Sequence, residues 1–173
     1  MQKGYTLIEV LVALVVASVG IMAAFALIQG SVGPLGTASS RFVAAYLAQE
    51  GIEIATNIRD SNFLRIRNGD GIVWNAELSA CASSTPCKGT YDNGSGTGPV
   101  LSTFTPDEKL LIDGNGFYTY DDYGAGTSTK FSRIITVSDV SADQINVVVE
   151  VKWEERGQQR ALQVQKDLYK WLQ

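Results

Sequence analysis

Apolar side chains run almost unbroken from Leu7 to Ile28, then give way first to a helical and later to an alternating pattern. The front run spans 22 residues, which as a helix is roughly 33 Å long, about the hydrocarbon thickness of a bilayer. It predicts a membrane-spanning helix over 5–30. Gly30, Gly33, Pro34 and Gly36 cluster next. A proline inside a helix costs about 3 kcal/mol, so a helix break is expected over 31–37. Helical periodicity resumes over 38–62. Val43, Leu47, Ile54 and Ile58 fall on one stripe, flanked by Ala44, Ala48, Gly51 and Ala55, with Gln49, Glu53, Thr56 and Asp60 opposite.

The segment 63–105 is rich in Gly, Ser, Thr, Asn and Asp and reads as a loop region, with one short strand expected at Gly71-Ile72-Val73-Trp74. From 106 to 173 the pattern alternates. LLIDGNGFYTY reads as a hairpin turning around Asp113-Gly114-Asn115-Gly116, and FSRIITV as a further strand. Ile145, Val147, Val149, Val151 and Trp153 share one face of the next strand. Leu162, Val164 and Leu168 share one face of the last, with Glu155-Arg156-Gly157-Gln158 as the turn between the two. An antiparallel sheet with one apolar face needs a cover, and the Val43/Leu47/Ile54/Ile58 stripe supplies it. The expected fold class is α+β: a long N-terminal helix, apolar in its first half, packed by its second half on a C-terminal antiparallel sheet.

Composition narrows the chemistry. The chain has no histidine, which removes Ser-His-Asp and Cys-His catalysis and the usual zinc sites, and with them most versions of a membrane-anchored hydrolase. The net charge is −4, and the nearest approach to a basic patch, Arg59, Arg65 and Arg67, reads as a solvated surface. No nucleic-acid partner is expected.

One residue in the front run changes the picture. Glu9 is its only charged group. Thirteen Leu, Ile, Val and Phe side chains between Leu7 and Ile28 favour insertion by about 5 kcal/mol in sum, against about 3 kcal/mol for one central carboxylate. Glu9 therefore does not prevent insertion, but a plain anchor has no use for it. An ionisable group in a membrane span is a functional site that needs a partner. An ordinary signal peptide, with Lys3 as its basic start and cleavage after Ala26 in Ala24-Phe25-Ala26, also leaves Glu9 unexplained.

Gly4-Tyr5-Thr6-Leu7-Ile8-Glu9 resembles the processing site of type IV pilins and type II secretion pseudopilins. The resemblance implies a leader, residues 1–4, that ends at Gly4. It implies a prepilin peptidase that cuts there and methylates the new amine of Tyr5, where the family usually has phenylalanine. It also implies a filament in which the Glu9 carboxylate neutralises the Tyr5 ammonium of a neighbouring subunit. The protein would then be a structural subunit of a pilus or pseudopilus and no enzyme. It would cross the bacterial inner membrane once before assembly, and its partners would be the membrane, the assembly machinery and other pilin or pseudopilin subunits. The alternative is a secreted or membrane-anchored binding domain with an ordinary signal peptide.

Cys81 and Cys87 frame CASSTPC and read as one disulfide in an exported protein, with two free thiols as the alternative. DGNGFYTYDD invites a calcium reading at Asp113, Asn115, Asp121 and Asp122, but Phe117 and Tyr118 stand where an EF-hand needs a ligand and a glycine. Turn formation explains Asp113 and Asn115 better. Asp121 and Asp122 as a catalytic pair would point to opposite faces of a strand. Tyr118, Tyr120 and Tyr123 could bind a sugar or a surface, but strand packing suits them better. No metal or cofactor is expected.

Overall fold

The computed structural model describes residues 6–91, 100–120 and 126–171. The chain divides into two units, Met1–Ser40 and Arg41–Gln173. Helix α1 (Leu7–Arg67) contributes to both. Within the first unit its apolar side chains from Leu7 to Ile28 are exposed all round.

The break expected over 31–37 is not there. The helix continues through all of these residues. Pro34 can remove only one backbone donor, the one that would reach the Gly30 carbonyl. Strong helix formers before it (Ala23, Ala24, Ala26 and Leu27) and beyond it (Ala44, Ala45, Leu47 and Ala48) carry the helix across that missing rung. The expected end near residue 62 is corrected as well, since α1 continues to Arg67. It stops in a Schellman arrangement, in which Gly69 N–H donates to the Ile66 carbonyl (3.0 Å) and Asp70 N–H to the Arg65 carbonyl (3.0 Å). Gly69 takes the left-handed conformation that this ending requires (φ 92°).

Within the second unit, α1 buries three of the four residues of the predicted stripe and partly covers the fourth, Val43. Leu47, Ile54 and Ile58 are buried, as are the flanking Ala44, Ala48 and Ala55. The small residues let the helix come close to the sheet. A Cβ on Gly51 would sit 2.7 Å from Val149 Cγ1 and 3.1 Å from Arg133 Cδ, closer than packed side chains approach.

The five-stranded sheet is antiparallel, in the order β2-β1-β6-β7-β8, with β1 at Cys87–Thr90, β2 at Val100–Thr103, β6 at Phe131–Ser141, β7 at Gln144–Glu155 and β8 at Gln158–Tyr169. A smaller sheet has the order β4-β3-β5, with β3 at Leu111–Ile112, β4 at Tyr118–Thr119 and β5 at Thr127–Ser128. Strands β7 and β8 pair from Glu155–Gln158 to Gln144–Tyr169. Their two-residue turn is Arg156-Gly157, both at positive φ (53° and 71°), the mirror-image turn whose twist suits a hairpin. On β7 the predicted face is closed: Ile145, Val147, Val149, Val151 and Trp153 are all buried. On β8, at the sheet edge, only Leu168 of the predicted row is buried. Leu162 is partly covered and Val164 is exposed.

The region read as loop, 63–105, holds two strands of the main sheet, β1 and β2. The strand expected at Gly71–Trp74 does not form. Buried Asn62 donates from Nδ2 to the carbonyls of Trp74 (3.2 Å) and Ala76 (2.9 Å). That uses backbone acceptors a ladder would need and turns the Trp74 ring into the core beside Phe63.

Candidate functional site

The candidate site is the start of α1. Residues Leu7–Gln29 form a helix long and apolar enough to cross a membrane. Glu9 lies in its first turn, where a negative charge is favoured by the exposed N–H ends of the helix. Its own backbone N–H donates to the Thr6 carbonyl (3.0 Å), and its side chain is exposed. Among the described residues Glu9 forms no ion pair, and the next basic residue along the helix is Arg41. Gly4 and Tyr5, the predicted processing and methylation residues, lie outside the described residues.

The head carries the second predicted feature, the Cys81–Cys87 disulfide, which is formed. Both cysteines are buried in the core cluster. Cys87 opens β1 opposite Ile135 of β6, and the Cys81 carbonyl accepts the Val137 N–H (2.6 Å). The bridge therefore fastens the segment between helix and sheet to the central strands. With a sequence separation of 6 it closes a small loop. Replacing both cysteines with serine is expected to cost roughly 2 kcal/mol. Hydrogen exchange on the detergent-solubilised chain checks the locality of the effect: protection should fall in residues 87–90 and 100–103 while β7 keeps its own.

The other residues considered from sequence find structural roles where they are described. Asp113 Oδ1 accepts the N–H groups of Asn115 and Phe117, both at 2.9 Å, which is the work of a turn former. Asp121, Asp122 and Tyr123 lie outside the described residues. No group of three or more His, Cys, Asp or Glu is placed to hold a metal among the described residues. Tyr118 meets Phe131 edge-on. Arg59 pairs with Asp60, and Arg65 with Asp70 and Glu77.

Sequence reasoning missed the polar group at the centre of the head. Arg133 is fully buried in β6, on the same inner row as Phe131, Ile135 and Val137. Its guanidinium pairs with Glu50 Oε2 (2.8 Å) and donates to the carbonyls of Leu47 (3.2 Å) and Gly89 (2.7 Å). The Tyr120 hydroxyl accepts the Arg133 N–H (2.6 Å) and donates to the Arg133 carbonyl (2.8 Å). Burial pushes the Tyr120 pKa up to about 12, so at neutral pH the hydroxyl keeps the proton it donates. An arginine at an inward position of an otherwise apolar strand was the available signal.

Comparison with known proteins identifies the N-terminal motif. The family model described as the prokaryotic N-terminal methylation motif matches residues 1–25. The type IV major fimbrial protein FimA of Dichelobacter nodosus is similar over most of its length: one form is 32% identical over 153 residues, covering 84% of this chain and 82% of its own. A second form is 28% identical over 146 residues, again covering 84% of this chain and 82% of its own. A fimbrial protein of the same organism is 27% identical over 146 residues, with 84% and 82% covered. No solved structure matches. A methylation motif, an apolar helix with one carboxylate in its first turn, and similarity that covers most of the chain agree on one identity: the chain belongs to the type IV pilin family and is a structural filament subunit.

Proposed function

We propose that this subunit builds a type IV pilus rather than a secretion pseudopilus, and that three residues govern its entry into the filament. A prepilin peptidase cuts after Gly4 and methylates Tyr5. The apolar helix then holds the subunit in the bacterial inner membrane, where the assembly machinery collects it. At the growing base the Glu9 carboxylate meets the Tyr5 ammonium of a neighbouring subunit. An opposite charge within about 4 to 6 Å favours both ionised forms and offsets their desolvation. The attraction draws subunits into one axial register, and the apolar helices then bury each other. The fimbrial relatives favour the pilus. The role of Glu9 rests on one observation: it is the single charge in the span Leu7–Gln29, and among the described residues no cation stands beside it.

The mass of the mature N-terminus tests the processing step. The expected product begins at Tyr5 and carries one methyl group. A product that begins at Leu27 would mean ordinary signal cleavage and a released domain. One that begins at Met1 would mean an unprocessed anchor.

A further inference from the structure

Two surfaces of the Arg41–Gln173 unit carry apolar side chains left wholly or partly uncovered by their own chain. One is the outer face of α1, where Phe42 is 68% exposed and Tyr46 73% exposed. Four residues apart, they share a stripe that Gln49 and Glu53 continue, both exposed. The other is the inner row of β8. The register places Val164 opposite Val149, Leu162 opposite Val151 and Arg160 opposite Trp153. The β7 members of these pairs are buried. Val164 is 38% exposed, Leu162 only partly covered, and Arg160 exposed. The helix reaches this edge near Thr56, whose Oγ1 accepts from Lys166 Nζ (3.3 Å).

The two surfaces also match in charge. Glu53 Oε1 is met by the Gln49 amide (3.2 Å), and Arg160 Nη2 by the Gln158 amide oxygen (2.7 Å). Among the described residues neither Glu53 nor Arg160 forms an ion pair. The helix face thus combines two aromatic rings with an unpaired anion, and the strand row combines two aliphatic side chains with an unpaired cation.

We propose that these surfaces bind each other between two copies of this chain: the outer stripe of α1 on one subunit docks on the open inner row of β8 on the next. Phe42 and Tyr46 cover Leu162 and Val164, and Glu53 faces Arg160. This inference rests on the filament reading above and names the head surfaces that meet. Joining two unlike patches is a head-to-tail contact, which can repeat without closing, whereas a patch that binds itself closes at a dimer. The apolar contact supplies the adhesion. The exposed charge pair adds little affinity but fixes which way round the partners meet.

Cysteine pairing in assembled filaments tests the contact. Filaments of the double variant Tyr46→Cys, Val164→Cys are expected to give, on mild oxidation, a covalent ladder of dimers, trimers and higher species. Filaments of either single variant should stay monomeric. Double-variant filaments that assemble in normal yield yet remain monomeric overturn the proposal and leave the filament reading intact. So do dimers from Tyr46→Cys alone, or a cross-link to a chain of different mass. If the double variant does not assemble, hydroxyl-radical oxidation of unmodified protein decides. Phe42, Tyr46, Leu162 and Val164 should be oxidised at least fivefold less in filaments than in the detergent-dispersed subunit, and equal oxidation overturns the contact. Filament yield and N-terminal mass report on the filament reading separately.

Discussion

A Glu9→Leu subunit is expected to reach the membrane at least as well as the unaltered one and to be missing from filaments. The two effects have opposite signs, which makes the result diagnostic. Removing a carboxylate from an apolar span lowers the insertion cost, by up to about 3 kcal/mol if the group were central. Glu9 lies in the first turn of α1, so the gain is smaller than that. If Glu9 pairs with Tyr5 as proposed, the same change leaves the neighbour's Tyr5 ammonium among apolar helices without its counter-ion. Two unit charges about 4 Å apart attract by roughly 4 kcal/mol at an effective dielectric of about 20. Breaking a buried pair by removing one partner costs about 3 to 5 kcal/mol, which is a loss of incorporation of at least about a hundredfold. The measurement is the ratio of subunit in sheared filaments to subunit in membranes, with the unaltered protein as reference. Glu9→Gln should also be excluded, since an amide fills the space but does not neutralise the ammonium. Normal incorporation of either variant would remove Glu9 from the assembly step.

Where a segment's environment follows from its own pattern, its structure was readable in advance. The Leu7–Ile28 run needs no partner to be recognised, because its length and its single carboxylate are local properties. The β7–β8 hairpin was equally legible: strict alternation from Ile145 to Trp153 and a Gly157-containing turn both act within a few residues. Strands β1 and β2 were not. Cys87-Lys88-Gly89-Thr90 has no alternation and little strand propensity. It joins the sheet because the disulfide and the register with Ile135 hold it there, and partners that distant leave no local trace. Pro34 misled in the opposite direction, since a real local penalty was outweighed by the helical turns around it. On β8 the alternation of Leu162 and Val164 predicts burial, yet toward Arg160 this edge strand keeps the pattern with only part of the cover. That same shortfall marks the surface proposed to receive a second subunit.

The largest effect expected in the head comes from Arg133. Its guanidinium is fully buried and bonds three groups on two elements: Glu50 and the Leu47 carbonyl on α1, and the Gly89 carbonyl on β1. Arg133→Ala removes all of these contacts, leaves Glu50 without its cation and opens a cavity beneath Gly51. Breaking a buried pair costs about 3 to 5 kcal/mol. The Glu50 side chain is 31% exposed and can regain some water, which places the loss near the lower end, at about 3 kcal/mol. A domain of this size should then melt roughly 10 °C lower, from the usual entropy of unfolding. The measurement is thermal unfolding of the detergent-solubilised full chain with its disulfide intact. A double variant, Arg133→Met with Glu50→Gln, separates charge from packing. Methionine fills much of the volume and glutamine carries no charge, so no uncompensated ion remains. The double variant should be more stable than Arg133→Ala, although the Gly89 carbonyl still lacks its donor. If both unfold at the same temperature, the lost packing and carbonyl bonds account for the whole cost, and the ion pair with Glu50 adds nothing. If the double variant recovers most of the stability, the pair is a device that fixes the register of α1 on the sheet. Its penalty then appears chiefly when one member is left alone.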